Sequence, residues 1–87
     1  MKFEFDTNKS KSNRQKHGID FVEGQKLWKD PQYVEIEAKC DDEKRYAIIG
    51  KINNKIWIAF ITYRTTLTRI ISIRRARKEE VKIYESV

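Results

Sequence analysis

The stretch RYAIIGKINNKIWIAFITYRTTLTRIISIRR, residues 45–75, decides the fold. It holds three runs of β-branched and aromatic residues separated by turn signals, the pattern of consecutive antiparallel strands. The sharpest turn signal is Asn53–Asn54, because asparagine tolerates the positive φ angles that a type I′ hairpin needs at both central positions. Pairing around that turn sets Tyr46, Ile48 and Ile52 beside Trp57, Ala59, Ile61 and Tyr63. On the other side it sets Ala47 and Ile49 beside Ile56, Ile58 and Phe60. Both faces of the hairpin are therefore apolar. One face can take helices. In a chain of 87 residues little is left to cover the other, part of which is expected to form an open site or a partner's docking surface.

Outward from this sheet the signals weaken. Residues 32–39 put Val34, Ile36 and Ala38 on one side and Tyr33, Glu35 and Glu37 on the other, as in a half-exposed edge strand. Asp20 followed by Glu23 opens a helical stretch with Phe21, Val22, Leu27 and Trp28 as its apolar stripe, ending before Asp30–Pro31. Residues 7–17, TNKSKSNRQKH, contain no apolar residue, and on residues alone this segment reads as a loop. Residues 1–6 alternate as a short strand with Phe3 and Phe5 together. The tail from 75 to 87 reads as a helix with Ala76, Glu80, Ile83 and Val87 on one side and Val81 and Tyr84 beside them. The whole, residues 1–87, is expected to be one α+β domain, since 39% apolar and 37% charged residues suit a single soluble core.

The charge is unevenly placed. Residues 1–44 carry nine Lys/Arg against ten Asp/Glu, a net of −1, whereas residues 45–87 carry ten against three, a net of +7. Six of the seven arginines lie in the basic half: Arg45, Arg64, Arg69, Arg74, Arg75 and Arg77. Guanidinium offers phosphate a planar, two-pronged donor, so this half is the one expected to meet a polyanion. No apolar run approaches the ~20 residues that span a bilayer. The N-terminus lacks the unbroken apolar stretch of a signal peptide, and a cytoplasmic location without membrane contact is expected.

Metal and thiol chemistry find little support. His17 and Cys40 are the only residues of their kinds and lie far apart, which matches neither a zinc site nor a Cys–His nucleophile pair. Cys40 reads as a packed or edge-strand residue. Asp41, Asp42 and Glu43 read as a solvated turn before a magnesium site. No metal and no cofactor is expected. What remains is arginine chemistry on a sheet: cationic donors that converge on one phosphate stabilise the charge that builds up when it is attacked. Strand parity leaves the grouping open. A two-residue loop at Thr65–Thr66 makes Arg64 co-facial with Arg69 and Arg75; a three-residue loop makes it co-facial with Arg74. His17 is the one histidine that could move a proton in metal-free phosphodiester cleavage, and it also sits where a helix-ending glycine, Gly18, would follow.

One set of residues goes further: D-x-x-K at 6–9, N-x-x-K-H-G at 13–18, Phe21, Asp30–Pro31, Arg45, Gly50, T-x-R at 62–64, R-I-I-S-x-R-R-A at 69–76, then Glu80 and Tyr84. In this order it resembles the BrnT toxins of bacterial type II toxin–antitoxin systems, over nearly the whole chain. The resemblance implies a small RelE-like α+β fold, with an antiparallel sheet of four to five strands, two N-terminal helices and a C-terminal helix. It thereby turns residues 7–17 from loop to helix. It also implies a ribonuclease that cuts messenger RNA and stops translation. The implied partner is a BrnA-like ribbon-helix-helix antitoxin, through which the complex would bind operator DNA, with a dimer possible within that complex. On this basis Arg64 and Arg74 are expected to stabilise the reacting phosphate. Arg75, Arg69 and Lys55 are expected to contact the RNA backbone, His17 to move protons, and Tyr84 to stack or assist. The alternative is a non-catalytic module that holds RNA or protein on its basic sheet.

Overall fold

Asn53 and Asn54 have φ angles of 50° and 67° and turn strand β3 (Arg45–Ile52) into strand β4 (Lys55–Arg64), as the hairpin signal predicts. The computed structural model describes residues 1–38 and 43–86. Cys40, the carboxylates Asp41 and Asp42, and Val87 lie outside the described residues. Strand β2 (Val34–Ala38) pairs antiparallel with β3, and β5 (Leu67–Arg75) antiparallel with β4. The two-residue strand β1 (Phe3–Glu4) pairs parallel with β5, giving one five-stranded sheet in the order β1-β5-β4-β3-β2. No helix among the described residues is long and apolar enough to cross a membrane.

The sheet's first face carries the main core. Ile48, Ile52, Ala59, Ile61, Ile70 and Ile73 pack there against Ile19, Phe21 and Leu27, with Phe3, Phe5, Trp28 and Tyr46 around them. Leu27 comes from a 3-10 helix, Glu23–Lys29, where an amphipathic α-helix was expected. Asp20 starts it as its sequence suggests, its Oδ1 accepting from the N–H groups of Val22 and Glu23 at 3.0 and 2.8 Å. Phe21 and Leu27 are buried, while Val22, in the turn before this helix, is 64% exposed. Gly24 lies against Ile73, and a side chain there would collide with it.

Residues 7–17 form helix α1, Thr7–His17, which corrects the loop read from the residues and agrees with the resemblance. Periodicity is blind to it because its inner face is polar. Asp6 caps its start, accepting from Asn8 and Lys9 N–H at 2.8 and 3.1 Å. Gly18, at φ 79°, ends it in the left-handed region that favours glycine. The buried residues are Ser10 and Asn13. Asn13 donates to the carbonyls of Ile19 and Ile73 at 2.8 and 2.9 Å and accepts from Ile73 N–H at 3.2 Å. Ser10 Oγ accepts from Phe21 N–H. Each such bond contributes roughly 1 kcal/mol net, and a buried partner left unmade costs more, so hydrogen bonds do here what an apolar stripe does elsewhere.

The tail helix α2 spans Lys78–Glu85, starting three residues later than expected. It crosses the second face of the sheet, where Ile83 and Tyr84 pack on Ala47, Ile49 and Ile58. In line with the expectation that part of this face is left open, it is only partly covered, with Val34, Ile36, Ile56 and Phe60 partly buried.

Candidate functional site

The grouping of the arginines follows from one bulge. Arg64 pairs with Leu67, so the β4–β5 loop has two residues, and Thr62 pairs with Arg69. That register alone would put Arg75 on the face of Arg64. Between Ile61↔Ile70 and Phe60↔Ser72, however, Ile71 is an extra residue on β5. The bulge reverses the parity of everything after it. Arg64, Arg69 and Arg74 therefore belong to the second face, the face of α2, and Arg75 to the first. Neither alternative left open by the sequence included a bulge.

Sharing a face does not bring these groups together. Arg74 pairs with Ile58 and Arg64 lies six residues further along β4, roughly 20 Å at strand rise. At the far end Arg64 is exposed, and its diagonal neighbour Arg69 donates to Glu4 Oε2 at 3.1 Å. At the near end Arg74 is held in a two-pronged bond, Nη1 to Glu80 Oε1 and Nη2 to Glu80 Oε2, both at 2.8 Å. Its guanidinium also lies over the Phe60 ring at 5.4 Å. The hydrogen bond to Glu80 raises Arg74 above its ordinary value, and the bond from Arg74 lowers Glu80. Glu80 Oε1 further accepts from Arg77 N–H at 2.8 Å, which fastens the first turn of α2.

On the first face, Arg75 is exposed, with its guanidinium 5.5 Å from the centre of the Trp57 ring that it pairs across. Lys55 lies two residues from Trp57 on the same face of β4. A cavity of about 190 Å³ opens here, lined by Gly18, Glu23, Asn53, Lys55 and Trp57 among others. Gly18 follows His17, which is exposed at the end of α1 and lines a neighbouring hollow of about 200 Å³ with Lys16 and Ser72. Lys55 and Gly18, the residue after His17, thus line one cavity, Arg75 lies across from its Trp57 wall, and His17 itself lines the neighbouring hollow. The structure places Arg64 with Arg69 in a second region and Arg74 on the opposite face from Arg75. Tyr84 is in neither region: it is buried at 9% exposure, and its hydroxyl donates to Asp30 Oδ2 at 2.6 Å. That bond, with burial, pushes Tyr84 up to about 12.

Trp57 beneath Arg75 and Glu80 across from Arg74 escaped the sequence reading. Both depend on the bulge at Ile71, since only the shifted register sets Trp57 opposite Arg75 and turns Arg74 toward α2.

The fold defines a small α+β domain that presents cationic side chains from a sheet and the end of a helix. The match to a family model is more specific. Residues 5–80 match the model of the ribonuclease toxin BrnT of type II toxin–antitoxin systems, and the chain belongs to that family. No curated protein matches the chain. Family membership makes it a ribonuclease toxin with an antitoxin as partner.

Proposed function

We propose that this toxin cuts messenger RNA without a metal ion and thereby stops translation. The observation that supports this most is the Arg75 guanidinium over the Trp57 ring, which lines one cavity with Lys55 and with Gly18, the residue after His17. RNA brings its own nucleophile. The 2′-hydroxyl oxygen bonds to the adjoining phosphorus, the bond to the 5′-oxygen of the next nucleotide breaks, and a cyclic phosphate and a free 5′-hydroxyl result. The protein has to fix the strand in line, neutralise the phosphorane oxygens and move one proton from the attacking oxygen and one to the leaving oxygen.

In this scheme Arg75 and Lys55 hold the reacting phosphate and His17 moves protons. Trp57 helps to hold the Arg75 guanidinium in place through the negative face of its ring. Arg64 and Arg69 take the backbone of the same strand further along. Arg74 is engaged by Glu80 and becomes a phosphate ligand only if that bond opens; Tyr84, bound to Asp30, acts through the fold. The test is incubation of the purified chain with end-labelled RNA in EDTA. Cleavage with cyclic phosphate ends supports the reading. Retardation of the RNA without cleavage would support a non-catalytic module instead.

The antitoxin is proposed to be BrnA-like, a ribbon-helix-helix protein that carries the complex, as a dimer, to operator DNA. It would dock over the half-covered second face, using apolar side chains on Val34, Ile36, Ile56 and Phe60 and acidic ones beside Arg64 and Arg69. Binding that weakens with salt and raises the toxin's melting temperature supports this. A hydrogen-exchange map of the pair in which that face stays unprotected would overturn it.

A further inference from the structure

One further hollow lies outside the proposed cleavage site. It measures about 470 Å³ and opens between the end of the 3-10 helix and the β3–β4 turn, with Lys26, Lys29, Asp30, Lys51, Asn53 and Asn54 in its wall. Asp30 is the one carboxylate among the described lining residues, and its oxygens are occupied. Oδ1 accepts from Gln32 N–H at 2.9 Å, and Oδ2 accepts from Lys51 N–H at 2.9 Å and from the Tyr84 hydroxyl at 2.6 Å. Asp30 thus secures the wall, and although the charge of Lys51 helps to lower its carboxyl, none of the three ammonium groups forms an ion pair with it. Every ion pair among the described residues uses an arginine, so Lys26, Lys29 and Lys51 have no described carboxylate as partner. Three like charges around one hollow repel each other, and an anion entering it relieves that repulsion.

The position of this hollow indicates which anion. Ile52 and Asn53 also line the cavity of Lys55 and Trp57, so the two hollows meet at the β3–β4 turn. A chain with phosphates at regular intervals, laid on Arg75 and Lys55, passes this turn next. We infer that the Lys26–Lys29–Lys51 hollow binds backbone phosphate of the RNA strand, away from the bond that is cut. This deepens the proposed ribonuclease reading and rests on it. A protein partner fits the hollow less well, because its described apolar lining is only Pro31 and Ile52. Interface cores favour aromatic side chains and are depleted in lysine, whereas lysine serves phosphate well as a point charge.

The test uses a single-stranded RNA with 2′-O-methyl sugars, which binds but cannot be cut. Its affinity is measured against salt for the wild type and for two triple variants with equal charge loss. One is Lys26→Gln, Lys29→Gln, Lys51→Gln. The other is Lys2→Gln, Lys11→Gln, Lys44→Gln, all exposed and in none of the three hollows. Thermal melts establish that all three proteins are folded; if the first triple variant is not, the three single variants replace it. Each phosphate contact on a single strand contributes about 0.7 to the slope of log affinity on log salt, so the first triple variant should lose about 2 and the second much less. Equal losses in both would overturn the inference. An unchanged slope in the first, with weakened binding of the antitoxin, would assign the hollow to the protein partner and also overturn it. Failure of the ribonuclease reading has a separate readout, since wild type would then leave unmodified RNA intact whatever the slopes are.

Discussion

Arg64 and Arg74 belong to one face of the sheet and stand at opposite ends of it. The bulge at Ile71 makes them co-facial, and a step of six positions along β4, from Ile58 opposite Arg74 to Arg64, separates them by roughly 20 Å. Two groups that far apart do not share a phosphate. Their contributions to RNA cleavage should therefore differ in kind, and Arg75, with Lys55 and His17 nearby, is the arginine whose loss should affect the chemical step.

Arg75→Ala is expected to lower kcat by 10²–10³, the ~3–4 kcal/mol typical of a donor aimed at charge that develops in the transition state. Arg64→Ala is expected to raise KM several-fold with kcat nearly unchanged, since a backbone contact remote from the cut binds ground state and transition state alike. Steady-state kinetics on one oligonucleotide separates the two. If Arg64→Ala loses kcat and Arg75→Ala does not, the reacting phosphate lies at the far end of the sheet.

Arg74→Ala is a change of stability first. It leaves the Glu80 carboxylate, 16% exposed, without its two-pronged partner and loosens the first turn of α2. Discounted for solvent screening, the cost is about 1–2 kcal/mol, a fall of several degrees in melting temperature for a domain of this size. Because Glu80 is lowered in the folded state, its contribution is complete above the unfolded value of about 4.3 and is lost as pH falls through the folded one. The gap in stability between wild type and Glu80→Gln should therefore be widest near neutral pH and close in acid. Urea titrations at several pH values measure it.

The readable and unreadable parts of this chain differ in which atoms do the holding. β3, β4 and their turn are legible because Ile48, Ile49, Ile58 and Ala59 alternate between two apolar faces and asparagine marks the turn. α1 is illegible to hydrophobic periodicity because Asn13 and Ser10 dock it through hydrogen bonds, and such residues look the same in a loop. The 3-10 winding of Glu23–Lys29 has no signature in the spacing of Phe21, Leu27 and Trp28. The candidate site was least legible of all. Residue types identify Arg64, Arg69, Arg74 and Arg75, but their faces depend on Ile71, an apolar residue in an apolar strand. The partnership of Arg74 with Glu80 depends in turn on where α2 lands.

Cleavage is expected to survive EDTA. Attack by the 2′-hydroxyl needs cationic stabilisation and proton transfer, both of which Arg75, Lys55 and His17 can supply. Activity in excess EDTA within about twofold of the untreated enzyme is the expected result. Complete loss, restored by magnesium or manganese, would instead place a metal in the reaction.

Tyr84→Phe separates a structural tyrosine from one that touches RNA. The hydroxyl donates to Asp30, whose carboxyl burial alone would push up. The bonds from Tyr84 and from the N–H groups of Gln32 and Lys51 outweigh burial and hold it below its ordinary value. Removing the phenol oxygen deletes one bond to a charged acceptor, at a cost of about 1–3 kcal/mol near neutral pH. The sign on the alkaline side follows from the raised value. Tyr84 stands at about 12 when folded against about 10 when unfolded, so its contribution is complete below pH 10 and is lost as pH rises through 12. Wild type should lose stability more steeply than Tyr84→Phe over that interval, and the two curves should converge at its upper end. At neutral pH the variant should cut RNA with unchanged kcat, because Tyr84 lies away from Arg75 and Lys55. Parallel alkaline curves, or a kcat lowered tenfold or more in a folded Tyr84→Phe, would move this tyrosine from the fold into the site.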